Sequence, residues 1–187
     1  MTAEEIFSQI AQHMVEGLMI HSQMTDYYNF LGFEGYKACH NYHYHSENNN
    51  HRQLSCYYLK HYNKIIKELP VSNPHIIPET WYQYTRQAVS NETKKESLKQ
   101  GFNEWIKWER DTKKFYEQMY QNLISIGEIA SAIEVKKYIE DVDYELAGAE
   151  QKLLELSSID YDLPTIMSKQ SDLAKKYCKK LKEIELC

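Results

Sequence analysis

Hydrophobic positions recur with helical spacing along nearly the whole chain. At about 100° per residue, Phe7, Ile10, Met14, Leu18, His21, Met24 and Tyr28 fall on one stripe and predict a first helix over residues 3–30. The break at Leu31-Gly32-Phe33-Glu34-Gly35 suits a helix end, where glycine adopts the left-handed conformation without steric cost. A second stripe of Phe33, Tyr36, His40, His43, Glu47, His51, Leu54, Tyr58, His61 and Ile65 predicts a helix over residues 33–69. This seam differs from the first in carrying polar, metal-competent side chains at its middle. Pro70, Pro74 and Pro78 end it and open an irregular stretch to about Ser90, with a helical turn expected around Trp81.

Phe102, Trp105, Glu109, Thr112, Tyr116, Met119 and Leu123, in alternating steps of three and four, predict a third helix over residues 91–126, with Asn91 as its N-cap. Gly127 separates it from a fourth helix over 128–156, whose apolar positions from Ala132 to Leu156 follow heptad-like order. Pro164 suits the first turn of a fifth helix over 164–186. Short turns make each hairpin antiparallel. The crossover of roughly 20 residues between helices two and three is long enough to return along the bundle and let those two run parallel. The expected fold is therefore all-α: a four-helix bundle with a long crossover and an added C-terminal helix, in one domain spanning residues 1–187.

Composition narrows the function classes. The chain has 187 residues, 42% hydrophobic and 26% charged, which suits one compact domain and opposes wholesale disorder. Six glycines and four prolines are too few for the turns of a many-stranded β fold. A net charge of −5 argues against nucleic acid as a partner, and the basic stretch from Lys175 to Lys182 reads as a solvated helix face. The opening MTAEEIFSQIAQHMVEGLM lacks the basic start of a secretion signal, and no apolar run approaches the ~20 residues of a membrane span. Cys39, Cys56, Cys178 and Cys187 form no C-x-x-C pair. A cytoplasmic protein without a membrane partner is expected. Walker, Rossmann, G-x-S-x-G and H-E-x-x-H motifs do not occur.

Several stretches resemble the ferritin family. GFEG after the first helix is similar to the same turn in some bacterial ferritins. WERDTKKFYEQMYQNLISIGEIASAIEVKKYIEDVDYELAGAEQKLLEL resembles the family's second helical hairpin, with Glu109 at its mid-helix glutamate, Gly127-Glu128 at its turn and Glu140 to Glu145 at its acidic run. The likeness covers roughly residues 5–157. It implies a ferritin-like bundle and a site for iron or another divalent transition metal, built from a glutamate on each of two helices and Glu-x-x-His on each of the others.

Carried onto this chain, that pattern is incomplete. Glu47 falls where the second helix should supply a bridging glutamate, but Asn50 stands at i+3 and His51 at i+4. Both spacings share one helix face, so His51 can still serve. Val142 occupies the expected second-site position, and Glu145, one turn later, stands at the edge of the buried face as a ligand or a solvated flank. On helix one, Glu16 lies at the right level but points about 140° away from His21, which faces the core lower down. His43 and His40 are alternative ligands or hydrogen-bonded core residues. His13, His61 and His75 read as structural, and Cys39 as a buried thiol. Glu47 and Glu109 are expected to be buried and to approach each other. The resulting reading is a metal-binding protein with an atypical or partial di-metal site, the alternative being a metal-free scaffold that acts as an interaction module. A homo-oligomer is expected, a dimer ahead of a cage, because the fifth helix is longer than the ferritin assembly helix.

Overall fold

The structure, a computed structural model, describes residues 1–71 and 89–184. It contains α1 (Ala3–Leu31), α2 (Glu34–Tyr62), α3 (Asn91–Ser125), α4 (Ile129–Ser158) and α5 (Leu163–Leu181). The turn expected around Trp81 lies outside the described residues. No described helix is long and apolar enough to cross a membrane.

Local chemistry sets the helix ends. Gly32, at φ 85°, closes α1 with its N–H donating to Asn29 and Tyr28 carbonyls. The second helix ends at Tyr62, seven residues before the position expected from its stripe, because Asn63 takes the left-handed conformation at φ 53°. The last positions of that stripe then leave the core: His61 is exposed and Ile65 is 87% exposed. Ser90 rather than Asn91 caps α3, its hydroxyl accepting from Thr93 N–H at 3.1 Å. The fifth helix stops at Leu181, before the expected residue 186, and residues 185–187 are outside the described set.

Contacts between the ends fix the topology. Phe7 near the start of α1 packs against Tyr57, Tyr58 and Tyr62 near the end of α2. At the opposite end of α1, the Tyr27 hydroxyl donates to the Ser97 carbonyl in the first turns of α3. The chain thus leaves α2 at one end of the bundle and enters α3 at the other, so α2 and α3 run parallel, as the crossover length implied. Gln12 holds the returning segment, its Nε2 donating to the Pro70 carbonyl at 2.7 Å.

The fifth helix packs along α2 and completes its N-terminus. Phe33, the residue before α2, offers no side-chain cap. Gln170 of α5 does so instead, its Oε1 accepting from the Gly35 and Tyr36 N–H groups at 2.9 and 3.3 Å. A Cβ at Gly35 would lie 2.8 Å from both the Gln170 carbonyl oxygen and Leu173 Cβ, so this docking requires glycine there.

Two apolar clusters fill the bundle. One gathers Met24, Tyr28, Phe33, Phe102, Leu156 and the α5 residues Ile166 and Tyr177; the other gathers Phe7, Met14, Leu54, Leu123, Val135 and Val142. Between them lies a layer of buried polar groups that includes His21, His40, His43, Glu109 and Thr112. A layer of this kind inside a bundle must be internally satisfied or must hold something else, since unpaired polar groups are costly away from water.

Candidate metal centre

Three helices send a ligand-type side chain to one point in this layer. One donor atom each from His21 on α1, Glu109 on α3 and Glu145 on α4 lie within 4.8 Å of one another. The His21 ring and the Glu109 carboxylate are sealed from solvent, with Nε2 and Oε1 3.8 Å apart. Glu109 is steadied by the Trp105 indole N–H one turn earlier, which donates to its Oε1 at 2.8 Å. His21 Nδ1 meets His40 Nδ1 at 3.1 Å, a hydrogen bond in which one ring donates and the other accepts. His21 Nε2, buried, has no hydrogen-bond partner.

His43, one turn after Cys39 on α2, approaches Glu145, with Nδ1 and Oε1 3.0 Å apart. With His43 protonated the contact is an ion pair. Glu145 keeps a side-chain exposure of 15% and borders, with His43, a cavity of about 410 Å³ beneath α5. Glu47 is half-buried as a residue, but its Oε2 is sealed and without a hydrogen-bond partner.

The electrostatics show a site short of positive charge. Burial, reinforced by the charge on His43, lowers His21 to about 3, so it is neutral at physiological pH. Burial also holds His40 well below the usual histidine range, with His21 and His43 adding to the effect. Burial opposes charge on His43 as well, but Glu145 beside it prevails and carries it well above its ordinary value. The same pair acts on Glu145: burial would raise its carboxyl, and His43 brings it below the usual range. Burial and the Glu145 charge raise Glu109 well above the carboxylate range despite the counteracting pull of His43 and Trp105. Burial and Glu145 likewise push Glu47 up to about 8. One imidazolium therefore balances one carboxylate, and the other two hold protons where no further cation is present.

Of the residues singled out in the sequence, His21, Glu109 and Glu145 converge, and His43 pairs with Glu145. Glu47 shares their electrostatic field and raises Glu109, but is not one of the three converging donors. His51 lies one turn further along α2, half-buried and subject to the charge of Glu68, outside the cluster. On α1, the position facing Glu47 is Gly17, where an added Cβ would stand 3.6 Å from the Glu47 carboxyl carbon. Val142 is buried in the neighbouring apolar cluster. Trp105, a member of the α3 seam, proves to be the hydrogen-bond donor to Glu109. Its spacing of four residues before Glu109 was the available signal, because that spacing stacks two side chains on one helix face.

No family model matches the chain, and no curated protein matches it in sequence. Among solved structures, it is similar to an engineered closed form of the ferritin from Archaeoglobus fulgidus. That match has a TM-score of 0.75 over 93% of this chain and 96% of the other, at 12% sequence identity. Agreement over almost the full length of both chains, together with the parallel α2 and α3, defines the architecture: the chain has a ferritin-like four-helix-bundle fold, with α5 laid along α2.

Proposed function

We propose that the protein binds a divalent transition metal, iron foremost, in the bundle core at His21, Glu109 and Glu145. The observation that carries this reading is the convergence of their donor atoms from three helices, with His21 Nε2 buried and unpartnered. A neutral imidazole whose Nδ1 donates to His40 presents a lone pair at Nε2, the form in which histidine ligates metals. One imidazole and two carboxylates suit iron or manganese better than a thiolate-preferring ion. A cation there would also release the protons held by Glu47 and Glu109. Bound iron would supply Lewis acidity and one-electron redox chemistry.

His43 holds the Glu145 carboxylate in its charged form, and the Trp105 indole N–H orients the Glu109 oxygen it touches. The metal-free scaffold would require Glu47 and Glu109 to be held by tyrosine, lysine or arginine. Among the described residues, Trp105 supplies the hydrogen bond to Glu109 and none reaches Glu47 Oε2. The similarity to an engineered ferritin supports the metal reading at the level of the fold. We further propose that the protein associates as a homodimer, and light scattering at the mass of a cage would overturn that.

Metal analysis of protein purified without chelator, before and after anaerobic addition of iron(II), tests the reading. The expected result is about one equivalent per chain, with an anomalous-scattering peak among His21, Glu109 and Glu145. Less than about a tenth of an equivalent after iron addition would overturn it.

A further inference from the structure

A groove runs between α4 and α5 on the outside of the bundle, because α5 packs chiefly against α2. Two cavities, about 300 and about 410 Å³, lie along it and share Lys152, Glu155, Leu173 and Lys176. Both volumes fall in the range of small-molecule sites. The first cavity has an apolar floor of Tyr36, Leu156, Ile159 and Ile166. The second leads past Tyr177 towards His43 and Glu145.

The rim of this groove is cationic in a chain whose net charge is −5. The Nζ atoms of Lys152, Lys176 and Lys180 lie 5.9, 5.7 and 5.7 Å from the centroid of the single Tyr177 ring. None of the three forms an ion pair among the described residues, nor does Lys169 at the far rim, whereas the neighbouring Lys175 pairs with Asp172 at 3.3 Å. Of the groove's other carboxylates, Glu155 accepts from Gln151 Nε2 at 3.0 Å and Glu145 pairs with His43. Ammonium groups gathered around one ring repel one another, and the ring's negative face offsets only part of that.

An apolar floor beneath unpaired lysines is complementary to one ligand chemistry. We infer that the groove binds an amphiphilic carboxylate, its head between Lys152 and Lys176 and its apolar chain along Leu156, Ile159 and Ile166. A neutral chain would fill the floor and leave the ammonium groups unpaired; a cationic amphiphile would add to their repulsion. None of the residues assigned to the head or the chain is a proposed metal ligand, and the test on metal-stripped protein is independent of metal loading.

Calorimetric titration of the full, metal-stripped chain with decanoate below its micelle concentration tests the inference, with 1-decanol and decyltrimethylammonium as controls. Decanoate is expected to bind once per chain and about tenfold or more tighter than either control, the margin typical of hydrogen bonds to charged groups. Hexanoate should bind more weakly, because fewer methylenes are buried. The double variant Lys152→Glu/Lys176→Glu should keep wild-type helicity and lose the preference for the carboxylate. The inference is overturned by any one of four results: no decanoate binding at millimolar concentration, equal affinity for the controls, an unchanged affinity in the folded double variant, or binding to anionic vesicles without binding of monomeric decanoate.

Discussion

The first helix carries two inward-facing histidines, eight residues and roughly 12 Å apart along its axis, His13 half-buried and His21 sealed from solvent. Burial lowers both, His13 to about 4 and His21 to about 3, so both are neutral at physiological pH. His13 is tied to its neighbours: its Nε2 bonds the Thr112 hydroxyl at 2.9 Å and its ring stacks on Trp108 and Phe115 with centroids 4.7 and 4.3 Å away, while Nδ1 lies 3.8 Å from Glu16 on the partly exposed side. His21 spends Nδ1 on His40 and leaves Nε2 facing two carboxylates without a hydrogen bond. A shifted titration alone does not separate a core histidine from a ligand. The separating feature is a ring nitrogen sealed from water, without a hydrogen bond, that faces carboxylates from two other helices.

The largest expected effect is on metal affinity. Glu109→Gln keeps size and fold but removes a charged donor, and should lower iron affinity by about a hundredfold or more, with helicity unchanged by circular dichroism. His13→Gln should retain wild-type stoichiometry while losing about 1–3 kcal/mol of stability in urea unfolding. Equal metal loss in the two variants would erase the distinction between the sites. Next in size is linkage: iron at a hundred times its Kd should stabilise the wild type by about 2.7 kcal/mol. The same gain should appear in His13→Gln and vanish in His21→Ala, as read by thermal or denaturant unfolding.

A smaller effect concerns pH. Glu47 has a folded value raised to about 8 from an ordinary 4.5, so the folded protein holds the extra proton. Its contribution to the stability of metal-free protein is fully present below the unfolded value and is lost as pH rises through about 8. Glu47→Gln should flatten that decline, which unfolding curves at successive pH values would reveal; an unaltered slope would assign the decline elsewhere. His13 acts in the opposite sense. Its folded value is depressed to about 4, so its contribution is present above the ordinary 6.5 and is lost as pH falls towards 4. The smallest expected effect is at Gly17, midway between the two histidines. An alanine Cβ there meets Glu47 and Trp108 at ordinary contact distances of 3.6 and 3.7 Å, so Gly17→Ala should stabilise α1 by about 0.5–1 kcal/mol. Unfolding midpoints should rise with metal stoichiometry unchanged.

The sequence by itself determined the number and order of the helices, the long crossover and the face on which each polar side chain lies. These follow from the 3.6-residue period and from turn residues such as Gly32 and Gly127, properties of the local chain. The buried aspect of Glu109 and the inward direction of His21 were legible in the same way. The early end of α2 was not, because Asn63 is one of many residues able to enter the left-handed region, and only the rest of the fold selects it. Tertiary structure also decided the level at which the side chains meet. Periodicity gives a residue's angle about its helix, but the sliding of one helix past another depends on how the two apolar clusters pack. That sliding brings His21, Glu109 and Glu145 together, leaves His51 a turn beyond them and sets Gly17 opposite Glu47. The spare valence of His21 is likewise decided only there, since it depends on which atoms of three other helices come within reach.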